Sequence, residues 1–261
     1  MLDPSIFFKL SRQGILPIYK KVLLQEVQGW GPELINTLAI PLTFFLAFGL
    51  GLRDYIGDVD GVSYMAFIAP GLISMTVLME AYRSGAWGLW LDRWHQKMID
   101  EYRIKPVSTS DIIIGQILGG FSVALIKGAI VATILLLLSN VSIPWQNLPP
   151  YLLLMFPGSI VFTCLGALVG TTLPKPDNIA QSQTIFITPL LYLGGLFFPI
   201  DSLPDWILPT VRWLPTTAIF DGGRNLLLKG EIDPQYVLVL ALSAILLFVF
   251  ATWWFNTRLA E

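Results

Sequence analysis

Two groups of aspartates have the spacing to do chemistry. Asp54, Asp58 and Asp60 form D-x-x-x-D-x-D, and Asp201 and Asp205 form D-x-x-x-D. Such sets of hard oxygen ligands could hold Mg²⁺ ions on a diphosphate. No cluster of Lys and Arg accompanies them to bind the phosphates, and solvated loop carboxylates are the plainer reading. His95 is the only histidine, so no histidine metal cluster can form, and a nucleophilic triad would have a single base. In its charged loop it reads as a surface residue. Cys164 is alone, which removes disulfides and thiolate metal sites within one chain. The string G-x-x-x-x-G-K-[ST] does not occur, so energy from ATP would have to come from another polypeptide.

The elements that position these residues are apolar runs. Apolar types make up 54% of the 261 residues and the mean hydropathy is +0.67, beyond what a soluble core needs. A span takes roughly 20 apolar residues to cross about 30 Å of hydrocarbon. Six such runs are predicted, at about 34–52, 62–82, 112–138, 151–173, 183–198 and 236–255. Pro189 interrupts the fifth and Pro199 closes it early, which predicts a kink whose freed backbone groups neighbouring helices satisfy.

Glu80 and Lys127 fall inside or near these runs, where ionisable side chains are functional candidates by default. At 1.5 Å per residue Glu80 lies roughly 27 Å below the start of its span and Lys127 about half-way along its own. That stagger argues against a direct ion pair. Lys127 then either lines a polar pathway or extends its stem to water at one interface.

Orientation follows from the basic residues, which cytoplasmic loops retain. One side holds eleven of the sixteen: Lys9, Arg12, Lys20, Lys21, Arg83, Arg93, Lys97, Arg103, Lys105, Lys175 and Arg258. The other holds Arg53, Arg212, Arg224 and Lys229. Both termini are therefore expected inside, with Trp30, Trp87, Trp90, Trp94, Trp253 and Trp254 as an inner aromatic belt and Trp145, Trp206 and Trp213 as an outer one. The net charge of −2 says nothing about partners. No cleavable signal is evident at the start; Asp3 and Pro4 read as a helix cap and first turn, Gly14 and Pro17 as breaks, and the stretch as a helix along the inner membrane surface.

Residues 84–110 form the longest inner loop. Leu91, Trp94, Met98 and Tyr102 recur at helical spacing, Asp92, Arg93, Gln96, Lys97, Asp100, Glu101 and Arg103 cover the other faces, and Pro106 ends the pattern. A short amphipathic helix follows, either an interfacial anchor or a lever whose charged face docks on a cytoplasmic partner.

At this point the residues carry a family resemblance. The run Tyr64-Met65-Ala66-Phe67-Ile68-Ala69-Pro70-Gly71-Leu72, then Arg93 to Glu101, then Lys105-Pro106-Val107-Ser108 with Ile112-Ile113-Ile114-Gly115 resembles the permease subunits of type-2 ABC exporters. Thr188-Pro189-Leu190-Leu191-Tyr192-Leu193-Gly194-Gly195-Leu196-Phe197-Phe198-Pro199-Ile200, Leu203-Pro204, Leu214-Pro215-Thr216 and Asp221 to Leu228 continue the match. The similarity covers nearly the whole chain in order.

The resemblance implies an all-α membrane protein with six transmembrane helices, an N-terminal amphipathic interfacial helix, a cytoplasmic coupling helix and an outer re-entrant helical hairpin between spans five and six. It implies a single domain over residues 1–261, the interfacial helix within 1–30 and the bundle over 31–261. In that arrangement Arg93, His95, Gln96, Lys97, Asp100, Glu101 and Arg103 would meet a separate ABC ATPase subunit that carries ATP and Mg, while this chain binds no cofactor and catalyses nothing alone. A second copy of the permease would complete a two-plus-two complex in a bacterial inner membrane, in contact with lipids and with no nucleic acid.

The hairpin has independent support, since residues 201–233 hold short apolar stretches broken by Pro204, Pro209 and Pro215. Gate or pathway candidates are Lys127, Gly194, Gly195, Phe197, Phe198 and Pro199, the glycine pair serving equally well for ordinary packing. Phe44, Phe45, Phe67, Phe197 and Phe198 would suit amphipathic cargo of the lipid-linked, glycan or drug-like kinds that such exporters move, or simply pack. The rivals are an ion-coupled secondary transporter, whose internal repeats and midplane acids are not convincing here, and a membrane prenyltransferase using the aspartate sets.

Overall fold

In hydrocarbon each backbone N–H and C=O must be paired within its own segment, so long apolar runs become helices. A computed structural model of the chain describes residues 12–51, 53–59, 61–96, 98, 107–139, 141 and 143–260. Its principal helices are α1 (Arg12–Gln28), α2 (Trp30–Phe44), α3 (Tyr64–Trp90), α4 (Thr109–Ser139), α5 (Leu148–Thr172), α6 (Pro176–Ser182), α7 (Thr188–Leu193), α8 (Pro215–Lys229) and α9 (Pro234–Ala260). α2 and α3 each continue through a π-helical stretch, Phe45–Leu50 and Leu91–His95. Among the described residues five helices are long and apolar enough to cross a membrane, namely Trp30–Leu50, Tyr64–His95, Thr109–Ser139, Trp145–Thr172 and Pro234–Arg258.

Local chemistry sets several helix starts. The Ser63 hydroxyl accepts from the Ala66 amide to cap α3. Ser108 and Asp111 form a reciprocal box at the start of α4, each side chain accepting from the other's backbone N–H at 3.1 Å. Between α2 and α3 lie a one-turn helix, Arg53–Ile56, and a two-residue antiparallel hairpin of β1 (Asp58–Val59) and β2 (Val62–Ser63). Asp58 is therefore an exposed strand residue, and Asp60 lies outside the described residues.

α3 is the hub of the bundle. The apolar stretch that qualifies it as a span is 89% buried, whereas that of α2 is 17% buried, so α3 is surrounded by protein and α2 stands at the edge. α3 and α5 approach with backbones in contact. A Cβ at Gly166 would lie 2.2 Å from the Tyr82 carbonyl and one at Gly170 2.1 Å from that of Ala86, so this small-x-x-x-small seam admits no side chain.

Three expectations need correcting. The predicted break at Gly14 and Pro17 is absent: α1 runs through both, because Ile18 and Val22 are buried against Gly115 and Gly119 of α4 and that packing offsets the one hydrogen bond Pro17 cannot make. Residues 84–95 are not a loop with a separate helix but the far end of α3, continuous to His95. The second span therefore does not end at Tyr82. Asp92, placed above on a charged face of that helix, is fully buried and receives Lys21 Nζ from α1 on both carboxylate oxygens.

The fifth run begins earlier than predicted, at Pro176. It passes from α6 through a π-helical stretch, Gln183–Ile187, into α7, and turns at Gly194. The π stretch ends two residues before Pro189, which has no N–H to give and whose ring crowds the carbonyl four residues back. Beyond the turn, short helices at Ile200–Ser202 and Leu208–Arg212 lead into α8.

A buried charge cluster between two cavities

The stretch from Glu26 to Glu33 joins α1 to α2 and carries two carboxylates seven residues apart, two helical turns if the helix were unbroken. Glu80 and Arg83 sit one turn apart on α3, and Lys127 faces them from α4. These five side chains form one network. Lys127 Nζ donates to Glu80 at 2.8 Å, Glu26 at 3.1 Å and Glu33 at 3.2 Å, which uses all three of its N–H bonds. The Arg83 guanidinium reaches the same three carboxylates, Glu26 at 2.7 Å, Glu33 at 2.9 Å and Glu80 at 3.0 Å. Thr37 of α2 donates to the second Glu80 oxygen at 2.8 Å.

Lys127 is wholly buried and Glu33 the most open of the carboxylates, its side chain 34% exposed. Three carboxylates against two cations leave the cluster with one formal negative charge. Charges removed from water are retained only when paired and hydrogen-bonded, and here each carboxylate bridges both cations.

The expectation that Glu80 and Lys127 do not pair is thus overturned. It placed Glu80 at the bottom of a span ending at Tyr82; with α3 reaching His95, Glu80 lies near the middle of a 32-residue helix. Measured from the Tyr64 and Ser139 ends, the two residues differ in height by roughly 6 Å at 1.5 Å per residue, which a lysine stem spans.

Two cavities flank the cluster. One, of about 250 Å³, is lined by α2 and α3 and includes Asn36, Thr37, Met75, Met79 and Gln183. The other, of about 310 Å³, lies toward the π-helical end of α3 and includes Val22, Gln25, Trp87, Leu91 and Gln116. Glu33 and Arg83 belong to the walls of both, so their ion pair stands between them.

Of the other site residues named from sequence, Gly194, Gly195, Phe197, Phe198 and Pro199 do come together, in the turn after α7. Gly195 has φ +84°, a left-handed conformation that glycine adopts freely, and Gly194 is buried against Thr216 of α8, which is packing within the chain. Phe197 packs at 5.0 Å on both Phe44 and Phe48 and at 5.7 Å on Tyr192. Phe198 is half-buried, and Pro199 precedes the turn Ile200–Ser202. Phe45 and Phe67, by contrast, are fully buried in the core.

Arg224 of α8 holds this turn in place. Its guanidinium lies 3.6 Å from the Phe67 ring centroid and donates to the carbonyls of Phe67 at 2.8 Å and Gly195 at 2.9 Å. Lys127 belongs elsewhere, since Phe67 and Glu80 are thirteen residues apart on α3, about 20 Å. Of the cations counted as facing outward, Arg224 is therefore buried, and Arg212 pairs with Asp201 at 2.9 Å.

At the opposite end of α3, His95 stacks on Trp90 and is exposed, and Gln96 is exposed. Arg93 Nη2 donates to the Arg258 carbonyl of α9 at 3.3 Å. The indoles of Trp90 and Trp94 donate to the carbonyls of Pro174 and Gly170 at the end of α5. Lys97, Asp100, Glu101 and Arg103, with Asp3, Pro4 and Pro106, lie outside the described residues.

Residues 19–228 match the family described as ABC-2 type transporter. The chain belongs to the ABC-2 type transporter family. Among its relatives, the inner membrane transport permease YadH of Escherichia coli (strain K12) is 32% identical over 208 residues, 79% of this chain and 80% of that protein. Nodulation protein J of Rhizobium leguminosarum bv. trifolii is 27% identical over 229 residues, 87% of each chain. An ABC-2 permease is the membrane-embedded transport subunit of an ABC transporter and is not itself catalytic, which agrees with a chain of long apolar helices. The matched region takes in all five members of the charge cluster, the turn at Gly195 and Arg224.

Proposed function

We propose that this ABC-2 permease is the translocating half of an ATP-driven exporter in a bacterial inner membrane, moving an amphipathic, lipid-linked, glycan or drug-like substrate out of the cytoplasm or the inner leaflet. The family match over residues 19–228 carries the reading, and the name of the YadH relative supports the location. Residues 1–261 act as one transmembrane domain. The sixth crossing is the run α6 to α7, and the segment from Ile200 through α8 is a re-entrant hairpin over the outer end. A second copy covers the open side of α2 and of the π-helical stretch before α7, where Ile35 and Phe186 are exposed apolar side chains.

A separate ABC ATPase docks where α3 ends. Asp92 to Lys21 and Arg93 to the Arg258 carbonyl tie that end to α1 and α9, so motion imposed there reaches three helices. Reversing Asp100 and Glu101 to Lys should replace attraction by like-charge repulsion, several kcal/mol at a desolvated contact and far less at a wet one. Insertion should survive, because the change adds positive charge to the basic side. The variant should reach the membrane and fail to retain the ATPase on co-purification, or fail to link ATP hydrolysis to export. Unchanged affinity with unchanged ATP-dependent export would refute this docking surface.

Both termini lie inside. In a Cys164-free background, a cysteine at position 58 should react with an impermeant maleimide added to intact cells, and one at position 97 should not. The reverse pattern would invert the topology.

A further inference from the structure

The cavity of about 310 Å³ beside Glu33 carries the carboxylates of Glu26 and Glu33 and the amide of Gln116, with Gln25, Ser84, Trp87 and Arg83 as the donors of its wall. Glu26 and Glu33 bring carboxylates to its wall, and the cluster they belong to carries one carboxylate more than its cations neutralise. Gln116 lines the same cavity and is 1% exposed. Its amide is oriented by Nε2 donating to the Ser84 carbonyl at 2.6 Å and hydroxyl at 3.0 Å, which leaves Oε1 buried without a hydrogen-bond partner. A buried amide oxygen without a donor is costly enough to call for a ligand or water. Beside Gln25, Ser84 and the carboxylate-paired Arg83, the wall holds Val22, Trp87 and Leu91, and an indole face attracts a cation.

We infer that this cavity binds the primary ammonium group of an amphiphile, at a site distinct from the aromatic turn near Gly195. An anion would add to the excess negative charge. A neutral alcohol could satisfy Gln116 but would not offset that charge. A quaternary ammonium could offset the charge but has no N–H for Gln116. A primary ammonium does both, while its chain meets the apolar wall. Because the Glu33–Arg83 pair also borders the cavity of about 250 Å³, a cation held on Glu33 competes with Arg83 for that carboxylate and loosens the partition. The inference rests on the transport reading only in naming the ligand as cargo; binding itself does not depend on it.

The test is binding of radiolabelled dodecylamine to the permease–ATPase complex in phosphatidylcholine nanodiscs without ATP. Dodecylamine should bind saturably, one per permease chain, with dodecanol and dodecyltrimethylammonium each about tenfold weaker and dodecyl phosphate not competing. Glu33→Gln should weaken dodecylamine about tenfold, and Gln116→Met, which keeps the bulk and removes the oxygen, should erase most of the preference for the primary amine over the quaternary one. Equal binding of the alcohol and the amine would overturn the site in the unaltered protein, whether or not either variant assembles. So would folded variants that bind as the parent does. Intact amine binding without ATP-driven outward movement would refute the amine as cargo and leave the site standing; ATP-driven export of another substrate with no amine binding would overturn the site and leave the exporter reading standing.

Discussion

Lys127→Met should leave a permease that assembles poorly, and Glu80→Gln added to it should restore much of what is lost. Lys127 is fully buried and gives each of its three N–H bonds to a different carboxylate. Methionine fills similar space but leaves Glu26, Glu33 and Glu80 to share Arg83 alone, two formal negative charges where there was one. Removing one partner of a buried ion pair costs about 3–5 kcal/mol, mostly the penalty of the charge left behind. Glu80→Gln takes away one of the stranded charges and can still accept from Thr37, so the double variant returns the cluster to its original excess. Thermal midpoints of the four proteins in detergent form the cycle, and the coupling between the two sites should be at least about 1 kcal/mol. Additive midpoints would show that water screens the cluster and that Lys127 contributes only as a stem.

Arg224→Met should release the turn after α7 while leaving the bundle below it intact. Arg224 bridges three elements: α8 on which it sits, the Phe67 carbonyl and ring on α3, and the Gly195 carbonyl in the turn. Methionine keeps the packing volume and abandons the carbonyls, each at about 1–3 kcal/mol when buried. Amide exchange at Gly194 and Ser202, whose N–H groups bond to Leu190 and Pro199, should accelerate by at least about tenfold. Exchange within α5 should not change. Arg224→Lys should fall between, because an ammonium can serve one carbonyl but lacks the planar fork that reaches both. Exchange at Gly194 and Ser202 unaltered in Arg224→Met would mean that Ile200 and Phe220, packed against the turn, hold it without the guanidinium.

Five of the six apolar runs were legible as membrane-length helices because helix formation in hydrocarbon depends on length and hydropathy, which are properties of the string. Some disturbance near Pro189 was legible for the same reason, the missing N–H being local, and it takes the form of the π-helical stretch Gln183–Ile187. What stayed hidden depends on where helices end. Residues 84–95 are polar enough to read as a loop, yet they continue α3 because Asp92 finds Lys21 and because Trp90 and Trp94 find carbonyls at the end of α5, partners far away in the chain. Once that extension was missed, Glu80 appeared too low to meet Lys127. Glu26 and Glu33 were missed for a related reason. Their spacing of seven residues was a usable signal, but only together with two cations on helices whose neighbours are set by packing. Arg224 was counted among outward-facing cations because charge and position cannot reveal that an aromatic ring and two carbonyls enclose it.

The length of α3 has a mechanical consequence. From Tyr64 to His95 it is helical over 32 residues, about 48 Å at 1.5 Å per residue, with Pro70 inside it and a π-helical end, and its backbone comes close to that of α5 at the seam around Gly85 and Ala86. A pivot at that seam would be set off-centre. The arm from Gly85 to His95 is about 15 Å and the arm from Gly85 to Phe67 about 27 Å. A helix turning there as a rigid body would deliver at Phe67 nearly twice the displacement applied at His95, in the opposite direction. Phe67 is where Arg224 anchors the Gly195 turn, so a displacement of about 1 Å at one surface would become roughly 2 Å of travel beneath the turn at the other. The chain thus has the proportions of a displacement amplifier, trading force at the short arm for reach at the long one.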